Sequence, residues 1–295
     1  MEGRSLGLYS HLSKYIPSGA VVLVIHLLQG VQPYAVEITR MLAPLSFLCR
    51  ILNQHFCFSY WANGEIFLTM SISDGIKQLM KINLWKTVYF NFHYFPFKTA
   101  MRMPAFIYKR TLLYKMGGKI SIEAPVRTGM MRFGPHGLGT QDLLYSRTMW
   151  QLNGTLVIKG RIYIGRGSKI SVGKNGVLTL GKDFIITGNS EIICQKEITF
   201  GSECLLSWNV LVMDTDFHKI YDANNVLVNS PRPIHIGNHV WIGCKNMILK
   251  GVSVADNVIV SANSTVTRNV SETNCIIGGQ GKYIEVFKRN VRWEK

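Results

Sequence analysis

The chain has 295 residues, with 47% hydrophobic content and 33 Lys+Arg against 17 Asp+Glu, a formal charge of +16. That much apolar residue argues against disorder and fills either one large domain or two modest ones, while the excess of cations favours anionic partners such as nucleotide phosphates or an acidic bilayer surface. The longest strongly apolar run near the start, residues 20–28, contains His26 and falls well short of the roughly 20 residues that cross a bilayer. With no signal-peptide layout, the expectation is a cytoplasmic protein. The six cysteines (Cys49, Cys57, Cys194, Cys204, Cys244 and Cys275) lack paired CxxC spacing, so most read as small buried hydrophobes, and no structural metal is expected.

Residues 1–117 form the first region. Up to about residue 80 apolar stretches mix with isolated polar residues without a repeat, and the expectation is helices. From Lys81 to Lys115 the chain turns aromatic and basic, as in Trp85-Lys86-Thr87-Val88-Tyr89-Phe90 and Phe106-Ile107-Tyr108-Lys109-Arg110. One reading is a membrane-surface or glycan-facing element. The other, which we prefer, is an aromatic cap closing the end of the next domain, because large rings bury area efficiently at the open end of a repeat array. No motif supports nucleic acid as a partner.

A six-residue period begins after about residue 118. Ile236, Ile242, Ile248, Val254, Val260 and Val266 recur at that interval, with Gly237, Gly243, Ala255 and Ser261 directly after an aliphatic and Ile234, Val240, Val252 and Val258 two places before one. Each flat edge of a triangular coil takes about six residues, points an aliphatic inward and tolerates only small or turn-forming residues at the corner. An antiparallel sandwich has no cause to repeat one residue class every six positions. Looser pairs extend the pattern upstream, from Leu156/Ile158 to Ile198/Phe200, with Gly165, Gly173, Gly181 and Gly201 as corners. The fold class is therefore mainly β: a parallel β-helix over 118–270, interrupted at 213–233 by a loop, and followed by a tail over 271–295.

The stretch Pro233-Ile234-His235-Ile236-Gly237-Asn238-His239-Val240-Trp241-Ile242-Gly243, with Lys250-Gly251-Val252 and Ser261 to Val270, resembles the hexapeptide-repeat acyltransferases, in particular the branch that acetylates sugars and surface polysaccharides. The resemblance implies a left-handed coil, a homotrimer with the acyl donor between subunits, and a short C-terminal helix. It also implies acetyl-CoA as co-substrate, a glycan or small-molecule acceptor, and direct O-acetyl transfer without a covalent intermediate. Peripheral membrane contact and a membrane-proximal setting stay open.

Asp214-Thr215-Asp216-Phe217-His218 resembles the family's loop for its general base, so His218 is the candidate: an imidazole can take the proton of a sugar hydroxyl as it attacks a thioester. Asp214 or Asp216 would orient the ring, or else serve as turn residues. Asn189 loosely matches an acceptor-contacting asparagine, or is a left-handed corner. The resemblance puts Cys244 and Ala262 along the pantetheine groove and Thr267, Arg268 and Lys282 at the adenosine phosphates; Trp241 would wall a pocket or an interface. Here Ile276-Ile277-Gly278-Gly279-Gln280-Gly281-Lys282 lacks the family's usual proline and alanine, which loosens the placement of Lys282. Rival functions are N-acyl transfer to an amino sugar or amino acid, and a non-catalytic β-helix scaffold. A zinc-dependent carbonic anhydrase type lacks a third histidine beside His235 and His239.

Overall fold

The computed structural model describes residues 20–25, 58–62, 65–71, 81–135, 138–139, 141–142 and 144–295. The chain divides into two compact units, residues 1–81 and 82–295. In the first, the described residues are strands rather than the helices expected: Ala20–Ile25, Phe58–Ala62 and Glu65–Ser71 form a three-stranded antiparallel sheet with Glu65–Ser71 in the middle. Ala20-Val21-Val22-Leu23-Val24-Ile25 is a short run rich in β-branched residues, too short for a stable helix and suited to a pleated strand, and that composition outweighs the missing alternation. The other positions of that expectation, including His26, Cys49 and Cys57, lie outside the described residues.

The second unit is a left-handed parallel β-helix with three faces. Face 1 stacks Ala105–Ile107, Met131–Phe133, Ile162–Ile164, Phe184–Gly188, Leu205–Trp208, Trp241–Ile242, Ile259–Val260 and Cys275–Gly278. Face 2 runs from Thr111–Lys115 to Gln280–Gly281, and face 3 from Lys119–Ile122 to Ser253–Val254. The coil thus starts at Ala105, ahead of residue 118, because the first turns carry insertions that blur the six-residue period. In register, Ile164 pairs with Ile186, 22 positions on; Leu206 pairs with Ile242, 36 on, across the long loop; Ile242 pairs with Val260 at the regular 18.

The bore is filled by aliphatics, each from the inward position of a face, such as Ile164, Ile186, Leu206, Ile242 and Val260, all fully buried. Two corners turn through left-handed residues. Asp183, Glu203, His239 and Asn257 line the corner between faces 3 and 1 with φ of 54–62°, and Gly167, Asn189, Asn209, Lys245 and Asn263 line that between faces 1 and 2 with φ of 50–78°. Gly165 and Gly181 serve another need, close approach of the next coil: a Cβ would stand 2.0 Å from the Thr187 carbonyl oxygen at the first and 2.1 Å from that of Gly201 at the second.

Helix α1, Leu84–Tyr94, closes the first coil, as the preferred reading of the aromatic stretch anticipated. Asn83 caps it, its side chain accepting from the Lys86 N–H at 2.9 Å, and Phe95-Pro96 ends it, since a residue before proline avoids the helical region. A four-residue helix α2, Phe97–Ala100, follows. Without α1 the strand Ala105–Ile107 would present unpaired backbone groups. Asn91 instead accepts from the Ala105 N–H at 3.0 Å and donates to the Ala105 carbonyl at 2.8 Å, and the Thr87 hydroxyl accepts from the Ile107 N–H at 3.0 Å. Phe90 plugs the bore, its ring centroid 5.5 Å from Phe133 and 5.4 Å from Trp150. Trp150 donates to the Tyr94 hydroxyl at 3.1 Å, and burial pushes that phenol up to about 12.

The far end differs from expectation. No terminal helix follows; Glu285–Arg289 returns as an antiparallel strand on Cys275–Gly278, pairing Cys275 with Arg289 and Gly278 with Glu285. The last coil's free ladder is a stronger template than the helical propensity of a five-residue stretch, and Gly279 (φ 120°) and Gly281 (φ 58°) permit the tight reversal. The remaining tail runs back along the corner between faces 3 and 1: the Trp293 indole donates to the His239 carbonyl at 2.9 Å and stacks on its ring at 4.4 Å, and the Lys295 ammonium donates to the Asp183 carbonyl at 2.9 Å.

Because Phe90 is a fully buried plug, Phe90→Ala should lower unfolding free energy by about 3–5 kcal/mol in chemical denaturation followed by circular dichroism. An effect below about 1 kcal/mol would show that the coil needs no cap.

Candidate active site

The loop over 214–233 leaves the corner between faces 2 and 3, between Leu211–Met213 and Ile234–Ile236. Its foot is a staple. Asp214 is fully buried and its carboxylate accepts three backbone N–H bonds from the previous coil, Gln195 and Lys196 at 2.7 Å and Glu197 at 2.8 Å. With both oxygens occupied there, Asp214 secures the corner and does not orient an imidazole.

His218 stands exposed on this loop. Phe217, just before it, has φ 61°, a left-handed conformation that a bulky residue adopts only when its surroundings enforce it. The enforcing contacts are present. The Thr215 hydroxyl accepts from the Phe217 N–H at 3.0 Å, the His218 N–H donates to the Asp216 carbonyl at 2.7 Å, and the Asn229 amide donates to the His218 carbonyl at 2.7 Å while accepting from the Ile220 N–H at 2.7 Å. Lys250, from the next coil, pairs with the Asp216 carboxylate and donates to the Asn229 carbonyl at 2.9 Å. Asp216 is therefore spent on Lys250 and on Asn229, at 3.0 Å, rather than on the histidine ring. The Lys250 ammonium, and after it the Asn229 amide, hold that carboxyl below the usual carboxylate range.

Thr215, Asn229 and Lys250 carry this arrangement, and the sequence did not single them out as a set. Asn229 sits eleven positions past His218 in a polar stretch without period, and Lys250 is one coil away in space although 32 residues away in sequence.

The same corner holds Arg232, which the sequence did not single out, and three expected residues, Thr267, Arg268 and Lys282. Arg232 lies over Gly251, whose φ of 79° and missing Cβ leave room for the guanidinium. One coil past Lys250 stand Thr267 and Arg268, and a further coil on is Lys282, its ammonium 5.0 Å from the Tyr283 ring centroid; the Arg268 guanidinium also reaches the Ile284 carbonyl. Stacked coils are about 4.8 Å apart, so cations run about 14 Å along one edge from the coil that bears His218. That charge column suits a ligand with phosphates at one end and a neutral arm reaching the loop.

Cys244 and Ala262 fall elsewhere. They stack on each other at the corner between faces 1 and 2, where the Asn263 N–H donates to the Cys244 carbonyl at 2.9 Å, so a whole face separates them from His218 within one chain. Asn189 belongs to that corner too, in left-handed conformation, accepting from the Gln141 amide at 3.0 Å. Trp241 is on face 1, opposite the His218 corner. Its indole donates to the Ser207 hydroxyl at 3.1 Å and its ring lies 5.9 Å from Trp293, so it packs under the chain's own tail. A cleft of about 520 Å³ beside that tail, lined by Arg132, Arg161, Asp183, Glu203, Trp293 and Lys295, lies on face 1 and shares no residue with the loop.

Residues 233–268, within the regular part of the coil, match the family model described as bacterial transferase hexapeptide (six repeats). The chain is 31% identical over 140 residues to the polysialic acid O-acetyltransferase of Escherichia coli O1:K1 / APEC, covering 47% of this chain and 42% of that one. It is 42% identical over 67 residues to the polysialic acid O-acetyltransferase of Neisseria meningitidis, covering 22% and 31%. The chain thus spans well under half the length of these relatives. Among solved structures, the polySia specific acetyltransferase NeuO is 21% identical with a TM-score of 0.40, over 65% of this chain and 79% of that one.

Two substitutions separate staple from site. Asp214→Ala leaves three backbone donors without an acceptor and should cost about 3–5 kcal/mol in unfolding free energy. His218→Ala removes an exposed ring and should shift it by less than about 0.5 kcal/mol. For the loop clamp, a lowered carboxyl value means the Asp216–Lys250 link is present above the ordinary carboxylate range and is lost only as pH falls through the lowered value. Amide exchange at His218 and Ile220 should then stay slow, once corrected for intrinsic rates, from neutrality down to that point, and Lys250→Met should remove the protection at every pH.

Proposed function

We propose that the protein is a CoA-dependent O-acyltransferase that moves an acetyl group from acetyl-CoA to a hydroxyl of a sugar or surface polysaccharide, with His218 as general base. The observation that carries this reading is the exposed imidazole, held by a clamped loop at the head of a column of cations, where an otherwise regular hexad coil is interrupted. The relatives named as polysialic acid O-acetyltransferases support the acyl group and the acceptor class.

In this reading the acceptor oxygen attacks the thioester carbonyl carbon while His218 takes its proton; the tetrahedral intermediate then expels the CoA sulfur, which recovers that proton from the imidazolium. Backbone N–H groups of the coil would hold the oxyanion, already fixed in place by folding. The backbone that carries the ring is held through Phe217, Asn229 and Lys250, and neither Asp214 nor Asp216 is bonded to the ring. Arg232, Arg268 and Lys282 would meet the phosphates of CoA, and Thr267 lies among them. Cys244 and Ala262 join such a site only if a neighbouring subunit brings its corner between faces 1 and 2 against this edge, which is how the homotrimer enters the proposal. A cytoplasmic setting, with the acetyl-CoA pool, goes with it.

Thiol release from acetyl-CoA, followed with a panel of sialic acid polymers, galactosides and amino sugars, tests the reading. Wild type should turn over a hydroxyl acceptor, and His218→Ala should lose roughly 100-fold or more in kcat. Turnover confined to amino sugars would move the assignment to N-acyl transfer, and none with any acceptor would leave a scaffold. Sedimentation should give three times the 33.3 kDa chain mass; a monomer would break the intersubunit site.

A further inference from the structure

Helix α1 is turned the unusual way round. Thr87, Phe90 and Asn91 face the coil and are buried, with Tyr94 partly so, whereas the opposite side carries Leu84, Val88 and Phe92 at intervals of four, flanked by Trp85 and Tyr89. Three- and four-residue spacing puts these five on one continuous stripe. The stripe is wet: Trp85 is 81% exposed, Leu84 74% and Tyr89 53%. It continues into α2, where Phe97 is 69% exposed and its ring meets Phe92 edge-on at 5.9 Å.

Capping the coil does not explain this surface. The hydrogen bonds of Asn91 and Thr87 and the packing of Phe90 complete the cap from the other side of the helix. A stripe of large apolar side chains in water is costly unless something covers it.

Charge narrows what covers it. From residue 75 to residue 122 there is no Asp or Glu, while eight Lys or Arg fall between 81 and 120. Lys98, Arg102, Lys109, Arg110 and Lys115 are exposed, and the Lys86 ammonium is turned inward to the Thr111 carbonyl at 2.7 Å. A field of one sign around Trp, Tyr and Phe matches an anionic lipid surface, where rings settle among headgroups and cations meet phosphates; a protein partner would need a matching acidic rim.

We infer that α1 and α2 form a membrane-docking face that lays Trp85, Phe92 and Phe97 into the headgroup layer of an anionic bilayer. The face lies at the opposite end of the coil from Arg268 and Lys282, so the inference does not depend on the catalytic reading.

The test uses the full chain with large unilamellar vesicles, either phosphatidylcholine alone or phosphatidylcholine with phosphatidylglycerol. Wild type should co-sediment with the anionic vesicles, with a blue-shifted tryptophan emission, and bind the neutral ones at least about tenfold more weakly. Trp85→Ser/Phe92→Ser and, separately, Lys98→Glu/Arg102→Glu should each weaken anionic binding by about tenfold or more while the circular dichroism melting curve stays in place. Wild type left in the supernatant with anionic vesicles overturns the inference, as does equal binding by the variants, which would place the contact elsewhere. So does a lipid-free mass that falls in Trp85→Ser/Phe92→Ser, which would assign the stripe to a second copy of the chain.

Discussion

Between its two ends, each coil of the β-helix is hydrogen-bonded on three faces to the coil before it and the coil after it. Almost every other feature follows from that ladder. A coil cannot shift without breaking bonds on three faces, so the corners are fixed points, and whatever is attached to a corner inherits its position. The ladder also has two costs, an unpaired strand at each end and sharp corners. Asn91 and Thr87 meet the first at the start of the coil and the returning strand Glu285–Arg289 meets it at the end. Left-handed residues, most of them Asn, Asp or Gly, meet the second.

The loop that bears His218 shows how a rigid coil makes a flexible insertion definite. Twenty residues leave one corner, yet the first is stapled by three N–H bonds to Asp214 and the turn is gripped by Asn229 and Lys250. Between these points Phe217 is held in a conformation it would not choose. The backbone of His218 is fixed on both sides, by the Asp216 carbonyl and the Asn229 amide. The three acids of the loop are all engaged, Asp214 and Asp222 with main-chain donors and Asp216 with a lysine.

The edge below the loop is cationic. Arg232, Lys250, Arg268 and Lys282 recur on successive coils without a carboxylate for each, an arrangement that self-repels unless an anion shares it. At the other end of the coil the cations around α1 keep company with exposed rings instead. Like charge thus appears at both ends in two chemical settings, a column on successive coils at one and a rim around exposed aromatic rings at the other.

The six-residue spacing from Ile236 to Val266 by itself determined the coil, because a flat edge of fixed length can be satisfied by few residue patterns, and the break after Val212 marked the loop and its histidine. The aromatic stretch likewise announced a cap. Only the tertiary structure decided the start at Ala105, where insertions spoil the period, the strands in place of helices near the beginning, and the terminal strand in place of a helix, which depends on an open ladder nearby. It alone decided the partners of Asp214 and Asp216, the role of Lys250 and the distance of Cys244, Ala262 and Trp241 from His218. Periodicity is a property of neighbours along the chain and survives in one dimension, whereas a side chain's partner lies a coil away, a separation that each inserted residue changes without leaving a local mark.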